Sequence, residues 1–151
     1  MSLEARQALV DSPFTIFQAE SQRTDLLDPA MTQTGLIALL GGLVAKQYFI
    51  LFTAIRSDHH DDSALGLHCH ANGYCADCWV NNSASAQDYA DAMAPRFEIF
   101  LESAAASPWI FQIGLAGSAW TPTNVAAAGE TCFEDDGGDH IHLGATNTMG
   151  V

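Results

Sequence analysis

The chain has 151 residues, of which 48% are hydrophobic and 15% charged, so it is expected to fold as one packed domain and not as a disordered tail. Eighteen acidic residues against five basic ones give a formal net charge of -13, which excludes the basic surface of a nucleic-acid-binding protein. Three of the four cysteines fall within ten positions, which is not the framework of a small secreted domain, so we expect reduced thiols.

The first third of the chain is predicted to be mostly helical. Met1–Val10 has a serine near its start that can cap a helix, and it has no signal-peptide core. Ser12 and Pro13 form a second helix-start signal. The apolar run Thr34–Ala45 fits a buried helix or, less well, a strand. The longer apolar segment Thr34–Ile55 has Lys46 and Gln47 in its interior, so we expect no membrane-spanning segment.

The middle of the chain is predicted to hold a central strand and a hairpin. Tyr48–Ile55 has no charge and is mostly aromatic and β-branched, which is typical of a strand covered on both faces. In the segment Gly66–Asn82, the dipeptide Asn72-Gly73 best fits the two-residue turn of a type I′ hairpin.

The predicted hairpin carries a candidate metal site. A turn at Asn72-Gly73 pairs His70 with Cys75 and His68 with Asp77, and alternation places all four side chains on one face. Two histidines facing an aspartate and a cysteine could supply three or four zinc ligands. The alternative, which the sequence favours, is a solvated or subunit-covered face with polar cross-strand pairs and no metal.

The Cys-x-x-Cys spacing of Cys75 and Cys78 does not by itself predict a metal or redox site. On a strand, a spacing of three sends the two sulfur atoms to opposite faces, so they cannot bind the same zinc ion. Cys69 and Cys78 fall on the apolar face of the hairpin. We expect both to lie in the core as small hydrophobic residues.

The second half of the chain is predicted to contain one helix and further strands. A capping signal and an apolar stripe predict a helix at about 84–103. Trp109–Leu115 alternates as a strand, and Thr121–Gly129 is interpreted as a loop. Thr131–Phe133 and His140–Leu143 suggest a terminal hairpin. The whole order predicts a single α+β domain over 1–151, with a mostly antiparallel sheet and the N-terminal helix and the 84–103 helix packed on one face.

Three other groups of ligand-type residues are weaker candidates. Asp58–Asp62 has the sequence DHHDD, but nothing fixes the direction of these side chains, and it is interpreted as an acidic loop. Glu134–Asp139 lacks the ligand spacing of a calcium-binding EF-hand loop and is interpreted as a turn. His140 and His142 share one strand face and could join a distant ligand set. No nucleotide-binding or serine-hydrolase motif occurs, so no catalytic residue and no cofactor is predicted.

The order of elements resembles one known family. Cys75–Val80, the polar link Asn81–Ser85 and the segment Ala86–Leu101 are similar to the strand, link and helix of the tail terminators of tailed bacteriophages, the lambda-like minor tail proteins. Three further segments resemble the family's N-terminal helix, its apolar strand and the acidic turn before its last strand: Met1–Val10, Tyr48–Ile55 and Phe133–Asp139.

The resemblance implies a non-enzymatic virion protein, either a tail terminator or a related head–tail neck protein. Such a protein forms a ring, usually a hexamer, that caps the tail tube and joins the tail to the head connector. The implied partners are the tail tube protein and the head–tail connector; DNA passes through the lumen without sequence-specific binding, and no membrane is involved. The implied location is the tail or neck of the virion, and the host cytoplasm during assembly. The alternative is a metal-binding domain or metal-dependent enzyme that uses the face of His68, His70 and Asp77.

Overall fold

The structure is a computed structural model that describes residues 3–58, 66, 68–81, 97–135 and 140–149. Its fold class is α+β, as predicted. The helices, in chain order, are α1 (Leu3–Val10), α2 (Glu20–Leu27), α3 (Thr34–Ala45), α4 (Phe97–Ala105) and α5 (Pro122–Ala128). The strands are β1 (Thr15–Phe17), β2 (Phe49–Ala54), β3 (Cys75–Asn81), β4 (Ile110–Ala116), β5 (Cys132–Glu134) and β6 (His140–Ala145).

The six strands form one mixed sheet in the order β1-β2-β3-β6-β4-β5. The β1–β2 and β4–β5 pairs are parallel, whereas the other three pairs are antiparallel. The sheet is therefore mostly antiparallel, as expected. β3 and β6 are neighbours at its centre, and every residue of β3 is buried.

The core is built from α3, α4 and the central strands. Its fully buried members include Leu36, Leu40, Ile50, Leu51, Phe52, Phe100, Leu101, Ile141 and Leu143. Helix α4 packs two aromatic side chains toward the sheet. The ring centroids of Phe97 and Trp79 of β3 are 6.0 Å apart, and those of Phe100 and Tyr48, the residue before β2, are 5.2 Å apart. This burial supplies the main stabilising free energy of the fold.

The hairpin predicted around Asn72-Gly73 is wrong. Strand β3 pairs with β2 and β6, and the residues before it form a short helical turn, His70–Asn72. Gly73 ends that turn in the left-handed conformation, with φ 80° and ψ 18°. Its carbonyl accepts a hydrogen bond of 2.9 Å from the backbone N–H of Gln33, just before α3. The glycine therefore ends a helical turn that docks on α3, a use of positive φ that competes with the hairpin turn.

The predicted terminal hairpin is also wrong. β5 pairs in parallel with one edge of β4, and β6 pairs antiparallel with its other edge. Strand β4 therefore separates the two segments that the sequence placed side by side. As a result, β6 is the direct neighbour of β3, and side chains of the two strands lie next to each other.

The helical segment Thr34–Ala45 and the strand Tyr48–Ile55 are confirmed as α3 and β2. The described part of the predicted 84–103 helix is α4, and the rest of that range lies outside the described residues, as do 59–62 and 136–139. Ser12 and Pro13 do not start a helix; they lie in a turn that leads to β1. Among the described residues, none of the helices has the length and apolar character needed to cross a membrane.

The segment Thr121–Gly129 is a helix and not the loop that the sequence predicted. Thr121 caps α5, because its hydroxyl oxygen accepts a hydrogen bond of 3.2 Å from the backbone N–H of Asn124. Pro122 occupies the first turn, where its missing N–H costs nothing. The threonine–proline pair is thus a helix-start signal that the interpretation as a loop overlooked.

Two glycines of α3 should respond to alanine in opposite ways. A Cβ on Gly35 would meet the backbone of Thr146 and Asn147 far inside van der Waals contact, whereas a Cβ on Gly41 meets nothing within 4 Å. We expect Gly35→Ala to lower the free energy of unfolding by about 1–3 kcal/mol, because the backbone must shift. Gly41→Ala should raise it by roughly 0.5–1 kcal/mol, because alanine favours the helix. Urea unfolding of both variants tests this; stabilisation by both would contradict the packing of α3 on the C-terminal segment.

Candidate metal centre

Three buried polar side chains meet at the centre of the sheet: His70, Asp77 and His142. His70 comes from the turn before β3, Asp77 from the middle of β3 and His142 from the middle of β6. Asp77 and His142 are direct partners across the antiparallel pair, so their side chains emerge on the same face. The three residues are 1%, 6% and 1% exposed, respectively. A carboxylate buried to this degree needs a compensating positive charge or strong hydrogen-bond donors.

The ligand-type atoms of these residues form a closed triangle. His70 Nε2 lies 3.1 Å from Asp77 Oδ1 and 3.1 Å from His142 Nδ1, and His142 Nδ1 lies 3.2 Å from Asp77 Oδ1. The imidazole rings are 75° apart, so they approach the centre from different directions. Ligands held at about 2.0–2.1 Å by tetrahedral zinc are about 3.3 Å apart. One cation can therefore contact all three atoms after shifts of a few tenths of an ångström.

Protons alone satisfy only part of this triangle. If each histidine donates its N–H to Asp77 Oδ1, the two N–H groups face each other at 3.1 Å. If one of these nitrogens is unprotonated, it accepts from the other histidine but no longer donates to the carboxylate. A divalent cation satisfies all three contacts at once, because each atom offers it a lone pair.

A second pair of ligand-type side chains, Asp135 and His140, adjoins the triangle. His140 Nε2 lies 2.6 Å from Asp135 Oδ2 and 3.6 Å from Asp77 Oδ1. Asp135 directly follows β5, and its backbone N–H donates to Leu115 O at 3.1 Å, which holds it beside β4. The side chains of His140 and Asp135 are 14% and 15% exposed, so this pair connects the buried triangle to solvent.

Gln112 of β4 contacts the outer nitrogen of His142. The Gln112 amide nitrogen lies 3.1 Å from His142 Nε2, opposite the nitrogen that faces the triangle. A metal-bound histidine usually donates its other ring N–H to an acceptor. When His142 binds a metal through Nδ1, its Nε2 carries a proton, and Gln112 has to present its carbonyl oxygen in place of the nitrogen. In that state Gln112 gives up the hydrogen bond of 3.4 Å that its amide nitrogen donates to His68 O.

Two glycines make room for this arrangement. Gly114 pairs with His142 across β4 and β6, and a Cβ there would lie 2.9 Å from His142 Cβ and 2.7 Å from Phe133 Cζ. A Cβ on Gly144 would lie 2.5 Å from Gln112 Cγ. A glycine inside a predicted strand is a sequence signal for such close approach. Gly114 lies inside the predicted strand Trp109–Leu115, so this signal indicates a close approach at Gly114.

Of the four residues that the alternative metal interpretation named, the structure brings His70 and Asp77 into the centre and leaves out His68 and Cys75. The Cys75 thiol donates a hydrogen bond of 2.7 Å to the carbonyl oxygen of His68. The His68 ring packs against Phe111, with 4.1 Å between ring centroids. His142 takes the place that the sequence gave to these two residues, and it was predicted only as one of a histidine pair that could join a distant ligand set.

The cysteines of the described part of the chain form no disulfide, and three of them are buried: Cys69, Cys75 and Cys78. Burial in the core raises the pKa of the Cys78 thiol, and the nearby Asp77 carboxylate adds to the effect. Cys78 also lies on the face of β3 opposite to Asp77, because it pairs with Ile141 whereas Asp77 pairs with His142. The prediction that Cys69 and Cys78 are buried core residues is confirmed.

No family model, curated protein or solved structure matches the chain. The resemblance to phage tail terminators therefore stays a prediction, as do the hexameric ring, its partners in the tail and its location in the virion.

Proposed function

We propose that the protein binds one divalent transition-metal ion through His70 Nε2, Asp77 Oδ1 and His142 Nδ1. The observation that carries this proposal is the closed triangle of 3.1, 3.1 and 3.2 Å contacts in a buried site. Hydrogen bonds leave one side of the triangle unsatisfied, whereas a cation satisfies all three. The ion also compensates the charge of the buried Asp77 carboxylate.

The ligand set favours zinc, with ferrous iron as the next choice. Two imidazoles and one carboxylate are a borderline set that suits both ions. Three protein ligands leave at least one coordination position for water or a substrate, which is the pattern of catalytic zinc sites. In addition, the ion ties the turn before β3 to the two central strands, so its binding stabilises the native sheet.

Metal analysis of the purified chain tests the proposal. We expect native mass spectrometry and elemental analysis to find one zinc or iron ion per chain after purification without chelator. Removing the ion should lower Tm by roughly 5–10 °C, since saturation at 100 times Kd stabilises the native state by about 2.7 kcal/mol. Adding zinc back should restore Tm. A chain that stays metal-free in the presence of zinc, with an unchanged Tm, would contradict the proposal.

The tail-terminator function predicted from sequence does not compete with this site, because a ring-forming protein can hold a metal ion in each subunit. The same native mass spectrum reports the number of subunits. A ring of about six chains would support the terminator prediction whatever its metal content. The ion count and the subunit count are separate results and test separate statements.

A further inference from the structure

We propose that Asp77 bridges the first ion to a second divalent cation, which is held by Asp135 and His140. This inference rests on the proposed function, because Asp77 is shared between the two sites. The second set of ligand-type atoms is clustered: those of Asp77, Asp135 and His140 are all within 4.8 Å of one another.

The geometry suits a carboxylate-bridged pair of ions. One oxygen of Asp77 is shared by the two groups: Asp77 Oδ1 lies 3.1 Å from His70 Nε2, 3.2 Å from His142 Nδ1 and 3.6 Å from His140 Nε2. In two-metal sites the ions are about 3.5–4 Å apart, a distance that one carboxylate spans. His140 and His142 are two residues apart on β6 and share a face, so their imidazoles can each reach a different ion.

Binding of a second cation requires His140 and Asp135 to exchange their direct hydrogen bond for contacts with the ion. At 2.6 Å, His140 Nε2 and Asp135 Oδ2 are closer than two metal ligands usually lie, as in a short hydrogen bond in which the imidazole N–H donates its proton to the carboxylate. A cation between the two side chains replaces that proton. Both side chains are partly exposed, at 14% and 15%, so a cation can reach this pair from solvent.

The charges explain why a second ion needs Asp135. An ion with two neutral imidazoles and the Asp77 carboxylate leaves a net charge of about +1, which repels another cation. Asp135 supplies the additional negative charge at the solvent side. Two carboxylates, one imidazole and water form a mainly oxygen ligand set, which suits manganese or magnesium better than the first site does. The completed centre keeps an excess positive charge, so its open positions should take an anionic oxygen ligand such as hydroxide or a phosphate group.

A manganese titration of the metal-stripped full chain tests the second site. We expect native mass spectrometry to show two Mn²⁺ ions per chain, the second bound at least about tenfold more weakly than the first, since it has more exposed ligands. Asp135→Asn and, separately, His140→Gln should each reduce the count to one ion. Glu130→Gln, which removes an exposed carboxylate outside the centre, is the matched control and should leave two.

The outcomes separate the two proposals. A wild-type chain that binds a single ion, lost in His142→Ala, would overturn the second site and keep the first. Two ions in wild type that persist in both Asp135→Asn and His140→Gln would also overturn the bridged arrangement. A chain that binds no ion would overturn both proposals. Electron paramagnetic resonance gives a further readout, because two bridged Mn²⁺ ions are magnetically coupled whereas two separate ions are not.

Discussion

Asp77→Asn is expected to reduce the affinity for zinc by more than about 100-fold and to abolish the rise in Tm that zinc produces. Asparagine keeps the shape of the side chain but loses the negative charge. That charge attracts the ion, and its oxygen contacts both histidines of the triangle. Removing groups that only orient a ligand already costs about 10–100-fold in affinity, so the loss of a direct ligand should cost more. Isothermal titration of the metal-stripped chain with zinc measures the change.

His68→Ala is the matched control for this prediction. His68 is a histidine of the same segment, yet its ring packs on Phe111 outside the triangle. We expect this variant to bind zinc within about threefold of wild type, because it keeps all three ligands. His142→Ala, by contrast, should resemble Asp77→Asn. Equal losses in His68→Ala and His142→Ala would show that the ion is held elsewhere.

The candidate site could be predicted from sequence only in part. Alternation along β3 placed Asp77 on the face opposite to Cys78, and the spacing of His140 and His142 gave them one face. The favoured interpretation of the Asp77 face as solvated or covered by another subunit was wrong, because every residue of β3 is buried within the chain. The partner of Asp77 could not be found in this way, because His142 lies 65 positions away along the chain. Nothing local in the sequence shows that β6 inserts between β3 and β4. Strand pairing depends on which buried faces meet, which is a property of the whole chain.

The fold shows the same division between local and long-range information. Helix α3 and strand β2 were predicted because their apolar residues alone require burial over a length that fits one element. The helical turn that ends at Gly73 was not predicted, because a glycine with positive φ suits both a hairpin turn and the end of a helical turn. Contact with α3 decides between them, and that contact involves Gln33, some forty residues earlier. The local pattern is compatible with either outcome.

One buried charge outside the metal centre holds the N-terminal helices together. Arg6 of α1 is 1% exposed, and its guanidinium donates to Leu26 O at 2.8 Å, to Thr32 O at 2.7 Å and to Thr32 Oγ1 at 2.7 Å. Leu26 lies in the last turn of α2, where carbonyl groups lack partners within the helix. Burial lowers the pKa of the Arg6 guanidinium, while the nearby Asp28 carboxylate opposes that effect. The arginine therefore acts as the C-terminal cap of a neighbouring helix.

Arg6→Met should lower the free energy of unfolding by about 3–5 kcal/mol, because a side chain of similar length would leave the buried carbonyl oxygens of Leu26 and Thr32 without this donor. That loss is a large share of the roughly 5–15 kcal/mol that stabilises a domain of this kind. Arg23→Met is the control: Arg23 pairs with Asp11 at 2.9 Å, but the two side chains are 34% and 54% exposed. Loss of the Arg23–Asp11 ion pair should lower the free energy of unfolding by at most about 1 kcal/mol. Denaturant unfolding measures both values. Equal losses would contradict the capping role of Arg6. Water can replace the exposed Arg23 as a hydrogen-bond partner, but it cannot reach the buried carbonyl groups that Arg6 contacts.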